Sequence, residues 1–122
     1  MQRYAEEAAY SHVMKTLQPL FDKERRGTRN APYGNNVDYS EARQLMERAK
    51  QQSGRYVTMK AAGYTDAEIN DVFNNPVEMT VFTTKGERDT VMTPMDSIRH
   101  YRGFLRTGFV CMDNERGYVK AY

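Results

Sequence analysis

The feature that most restricts the fold is a change of hydrophobic period at Asn75-Pro76. Before it, apolar residues recur at helical spacing; after it, Val77, Met79 and Val81 alternate with Glu78, Thr80 and Phe82. That alternation, and a second run at 87–93 beyond Lys85-Gly86, predict two strands joined by a tight turn. Thr93-Pro94-Met95-Asp96 then opens a helix, with Thr as cap, Pro at the first helical position and Asp near the positive end. Met95, Ile98, Tyr101 and Leu105 carry that helix to about Arg106, with Gly108 as its C-terminal cap. A closing hairpin follows: Phe109 to Met112, a turn from Asp113 to Gly117 where glycine supplies a positive φ, and Tyr118 to Tyr122.

Upstream, Ala5, Ala9, Val13 and Leu17 predict a helix over 2–21, with a kink or an end at Pro19. Residues 23–39 have no period and read as a mobile loop. A second helix begins near Ser40, capped by Asp38 with Glu41 bonding back, or by Ser40 alone; its apolar face is Ala42, Leu45, Met46 and Ala49. A short helix closed by Gly63 in the left-handed conformation comes next. Thr65 and Glu68 form a capping box for the following helix, Tyr64 and Ile69 are spaced for a hydrophobic staple, and Asn75-Pro76 ends it. The expected class is α+β: N-terminal helices, then two short β-hairpins with a helix between them. The last sheet is truncated, so the chain is expected to be an excised piece of a larger protein.

At 122 residues the chain supports one small core. A net charge of +2 is too weak to argue for nucleic acid by itself. No apolar run is long enough to span a bilayer, and the start lacks the apolar core of a signal peptide. The single cysteine, Cys111, excludes an internal disulfide and reads as a small buried hydrophobe.

The inventory of chemistry is thin. His12 has no partner at ligand spacing, and His100 with Asp96 at i, i+4 reads as a surface contact, so no metal is expected. Neither Ser11, Ser40, Ser53 nor Ser97 sits in an acyl-transfer motif, and Arg106-Thr107-Gly108 only superficially resembles a Lys-Thr-Gly strand. Around Lys85-Gly86 there is a turn, not a phosphate loop. No catalytic, cofactor-binding or metal-ligating residue is therefore expected. The stretch from Met59 to Phe73 has the outline of a helix-turn-helix, yet its second helix carries Asp66, Glu68 and Asp71 and no Lys or Arg. Those acids would repel phosphate, which favours a capped helix pair packed on the core. The basic stretch at 23–29 is read as solvated, with an anionic polymer or lipid head groups as the alternative.

Three segments resemble class A penicillin-binding proteins. Met1-Gln2, Ala5-Glu6 and Ala8 match the Leu-Gln-x-x-Ala-Glu-x-Ala segment of that family. Asp113, Gly117, Val119 and Ala121 fit the first hairpin of its transpeptidase domain, although Asn114 and Arg116 stand where the family usually has Pro and Thr. Residues 74–109 are similar to the linker of one subgroup, with its Pro-x-x-Met-x-Val-Phe strand, glycine turn and Thr-Pro-x-Asp-Ser-Ile helix. The resemblance covers most of 1–22 and 54–122 and is loose between them.

It implies a bifunctional peptidoglycan synthase at the periplasmic face of the inner membrane. Residues 1–106 would be its inter-domain linker module and 107–122 the truncated start of the transpeptidase domain. The module would position the glycosyltransferase and transpeptidase domains. The catalytic residues of both would lie outside this chain, with no cofactor here. The expected partners are those two flanking domains, with cell-wall regulators and edge-strand self-association as further candidates and no nucleic acid. The rival readings are a free-standing protein–protein interaction module and, behind it, a helix-turn-helix DNA-binding domain.

Overall fold

A computed structural model describes all 122 residues, which divide into two units. One unites Met1–Glu24 with Phe104–Tyr122; the other is the continuous stretch Arg25–Gly103. In chain order the elements are α1 (Gln2–Ala9), a π-helical stretch (Tyr10–Leu17), α2 (Gln18–Arg25), α3 (Tyr39–Gln51), α4 (Gly54–Ala61), α5 (Asp66–Asn74), β1 (Val77–Thr83), β2 (Gly86–Met92), α6 (Pro94–Arg102), β3 (Cys111–Met112) and β4 (Val119–Ala121). The chain is α+β, with two separate antiparallel hairpins.

In the Arg25–Gly103 unit each helix start is fixed by a side chain that accepts an otherwise orphaned N–H. Asp38 accepts from the Ser40 N–H at 2.9 Å and Ser53 Oγ from the Tyr56 N–H at 3.3 Å. Thr93 Oγ1 accepts from the Asp96 N–H at 3.0 Å. At α5 the capping box is complete: Thr65 Oγ1 accepts from the Glu68 N–H at 3.3 Å, and the Glu68 carboxylate accepts from the Thr65 N–H at 2.8 Å. Gly63, at φ 88°, closes α4, and the Tyr64 N–H returns to the Met59 carbonyl at 3.1 Å.

The β1–β2 ladder is fully in register from Val77↔Met92 to Thr83↔Gly86, and Gly86 turns the corner at φ 107°. Val81 on its inner face joins Ala42, Met46 and Ala49 of α3 and Ile69 and Phe73 of α5 in the core. Burial of Met46, Ile69, Phe73 and Val81 contributes about 1.5–3 kcal/mol each. Helix α6 packs on both α3 and α5.

The expected loop over 23–39 is shorter, because α2 runs to Arg25 and α3 begins at Tyr39. What remains is a chain of turns: the Tyr33 N–H bonds the Asn30 carbonyl at 2.8 Å, the Val37 N–H the Gly34 carbonyl at 3.0 Å, and Asn30 Nδ2 the Val37 carbonyl at 2.6 Å.

In the other unit, helical geometry does not end at Pro19 but continues to Arg25. The stretch before the proline has become π-helical, and the Gln18 N–H reaches back five residues to the Val13 carbonyl. A π turn is wider than an α turn, which is what the proline ring needs to clear the carbonyl of Lys15.

Helix α6 stops at Arg102, short of the expected Arg106, and its C-terminal cap is Gly103 rather than Gly108. Glycine is a poor helix former. Beyond it the Leu105 N–H, which a continuing helix would spend on Tyr101, donates instead to Gln18 Oε1 at 2.8 Å.

The closing hairpin is also shorter than expected. β3 is two residues long, a bulge separates its two pairs with β4, and Phe109 and Val110 lie outside it and exposed. Asp113 organises the turn: its carboxylate accepts from the Glu115 and Arg116 N–H groups, and its carbonyl accepts from the N–H of Gly117, at φ 69°. Cys111 is half-buried rather than buried, and Ala121 takes the inward place. Helix α1 lies against β4: Gln2 Oε1 accepts from the Tyr122 N–H at 2.7 Å, and Gln2 Nε2 donates to the Tyr122 carbonyl at 2.5 Å. One carboxamide thereby does for this strand end what a neighbouring strand would do.

Candidate functional site

A concave feature of the Arg25–Gly103 unit is a cleft of about 810 Å³ between the 26–38 turns, α3 and α6. Arg29 and Asn30 come from the turns, Tyr39 and Arg43 from the first half of α3, and Met95 and Arg99 from α6. The fold dictates this convergence. Ala42 and Met46 turn the apolar face of α3 inward, which leaves Tyr39 and Arg43 at the rim, while α6 packs on α3 and brings Arg99 to the opposite wall.

The guanidinium of Arg29 lies over the Tyr39 ring, 4.1 Å from its centroid. Arg99 is held by the Asp96 carboxylate. Arg43 makes no ion pair. The one acid on the wall, Glu47, is engaged by Lys50 Nζ at 2.9 Å. Asn30 Oδ1 is shielded from water with nothing donating to it, its orientation pinned by the bond from Nδ2 to Val37. The basic stretch is thus not simply solvated: Arg29 is stacked, and the Arg25 guanidinium is packed so tightly on Gly34 that a Cβ there would come within 2.5 Å of it.

Lys50 is buried in spite of its charge. Its side chain is 7 % exposed, bonded to Glu47 and to Asn70 Oδ1 and placed 5.8 Å from the centroid of the Phe73 ring. Its signal was present in the spacing: Lys50 lies eight residues after Ala42, on the same face as Met46 and Ala49.

A second polar cluster locks α4 to α5. Asp66 Oδ1 receives Lys60 Nζ at 2.7 Å and the Tyr56 hydroxyl at 3.0 Å. The bonds from Lys60 and then Tyr56 hold the Asp66 carboxyl below the usual range. The bond to Asp66 raises both the Lys60 ammonium and the Tyr56 phenol. Backbone and side-chain bonds from Thr65 lower Glu68, and the Ser40 hydroxyl and N–H lower Asp38. Acids stud the exposed side of α5, and its buried side, Ile69 and Phe73, faces the core. This is the capped helix pair expected in place of a groove-reading helix.

The other residues weighed for chemistry fall apart in space or serve local structure. His100 Nε2 lies 2.7 Å from the Phe82 carbonyl, tying α6 to β1, while Asp96 engages Thr93 and Arg99. The Tyr101 hydroxyl accepts from the Phe82 N–H at 3.1 Å, a second bond of the same kind. The Ser11, Ser53 and Ser97 hydroxyls donate to the Ala8, Lys50 and Pro94 carbonyls, and Ser40 donates to Asp38. His12 is exposed on the π-helical stretch. No three His, Cys, Asp or Glu side chains gather as a metal site, and no helix is long and apolar enough to cross a membrane.

Comparison with known families gives one match. The model of the penicillin-binding protein middle domain covers residues 28–105, which is the capped-helix and β1–β2 region almost in full. No curated protein and no solved structure matches the chain.

Proposed function

The chain belongs to the penicillin-binding protein middle domain family, and from that premise we propose that it is the non-catalytic spacer of a bifunctional peptidoglycan synthase. In this reading it sets the distance and orientation between a glycan-polymerising and a peptide-cross-linking domain at the periplasmic face of the inner membrane. The family match over residues 28–105 carries the reading.

Fluorescent-penicillin labelling tests the proposal. The 122-residue chain is expected to remain unlabelled, and the product of the native gene that contains it to be labelled covalently. A native product that never labels would overturn the reading and bring the free-standing interaction module forward.

A further inference from the structure

We propose that the arginine-walled cleft is a docking site for an acidic peptide segment of a partner protein. Three guanidinium groups, those of Arg29, Arg43 and Arg99, line a cleft whose single carboxylate, Glu47, is engaged by Lys50; Arg99 is held by Asp96, which leaves the charges of Arg29 and Arg43 without a carboxylate. The excess of positive charge is local, since it is concentrated here in a chain of net charge +2. Arg43 has no carboxylate of its own. Arg29 spends only its flat face, on Tyr39, which leaves the N–H donors at its edge for a planar acceptor. A carboxylate meets such a fork with two parallel bonds.

One feature distinguishes a peptide from a bare anion. The wall between the arginines carries Tyr33, Tyr39 and Met95, apolar surface that an inorganic anion or a polyphosphate has nothing to cover. The cleft's size lies within the roughly 300–1,000 Å³ range of sites that enclose a ligand. The proposal rests on the cleft alone and is independent of the spacer role, which penicillin labelling tests separately.

The test is fluorescence anisotropy of a short fluorescein-labelled peptide that alternates glutamate with leucine, titrated with the 122-residue chain. Arg43→Ala is expected to weaken binding roughly tenfold, the equivalent of one charge-assisted contact. Arg48→Ala removes the same charge from the same helix but away from the cleft, and is expected to leave binding unchanged. Both arginines are exposed, so both variants should keep the parent far-ultraviolet circular dichroism. Equal weakening by the two variants would reduce the effect to net charge and overturn the site. Equally effective competition by polyphosphate would overturn the peptide assignment, as would absence of binding to the parent chain.

Discussion

The Arg25–Gly103 unit and the unit made from the two chain ends are built to different standards. In the first, all four helices start with a side-chain cap, and the ladder pairs Val77 to Thr83 with Met92 to Gly86 without a slip. In the second, α1 has no side-chain cap, and the β3–β4 ladder is broken by a bulge. Ala121 is the only apolar residue it buries, while Met1, Tyr4, Phe109, Val110, Tyr118 and Tyr122 stay exposed. Hydrophobic burial is the main term that offsets chain entropy. The first unit therefore supplies most of its own stability, and the second depends on single polar contacts such as that between Gln2 and Tyr122.

Removing the core's largest side chain should break the comparison most severely. Phe73 is 2 % exposed, and Phe73→Ala should cost about 3–5 kcal/mol, read as a lower urea midpoint. Val119 is 54 % exposed, and Val119→Ala should fall within about 0.5 kcal/mol of the parent. Equal effects would show that the two units share stability evenly. Lys50→Ala comes next. It leaves the amide of Asn70 without its donor and opens space beside Phe73, for a loss of about 1–3 kcal/mol. Lys50→Met, which keeps the apolar stem, should recover part of that loss.

The parts of this fold legible in the sequence were those written in local chemistry. Thr65 with Glu68, Thr93 with Pro94, and Gly63 each act within a few residues, so their caps could be read directly. Alternation marked β1 from Val77, and a tight turn at Lys85-Gly86 placed β2. Contacts distant along the chain were not legible. Nothing near Gly103 revealed that Gln18 would take the N–H of Leu105 and end α6 early. Nothing near Pro19 revealed a π turn wide enough to pass it. The cleft belongs to the same class: Arg29, Arg43 and Arg99 lie far apart in sequence, and only the packing of α6 on α3 brings them together.

A smaller effect separates the two kinds of end-fixing. Thr65→Ala removes the cap of α5 and should cost about 1 kcal/mol in a global unfolding measurement, because α5 carries Ile69 and Phe73 into the core. Gln2→Ala removes two bonds to Tyr122, each worth about 0.5–1.5 kcal/mol at most in an exposed place. Its effect should be local: faster amide exchange in β3 and β4, with the exchange of α5 and β1 unchanged. Slowed or unchanged exchange in β4 would show that the strand end is held by something other than the carboxamide.

The smallest expected effect is the response to pH, and it belongs to the capped unit. Asp38, Asp66 and Glu68 have lowered pKa values, so their contribution is complete above the ordinary carboxylate range, near pH 4, and fades as pH falls through their folded values. Lys60 and Tyr56 are raised, so theirs is complete below about pH 10 and is lost as pH rises past that point. Stability should therefore show a plateau between those limits with a shallow fall on either side, because these groups are exposed or, for Tyr56, half-exposed and are screened by solvent. Asp66→Asn separates the sources. Both alkaline shifts depend first on Asp66, so the fall at high pH should flatten in this variant. On the acid side, Asp38 and Glu68 are held by Ser40 and Thr65, so part of the low-pH fall should survive. Melting temperatures of parent and variant across that range would check both limbs, and an unchanged alkaline limb would show that Lys60 and Tyr56 do not couple to folding through Asp66.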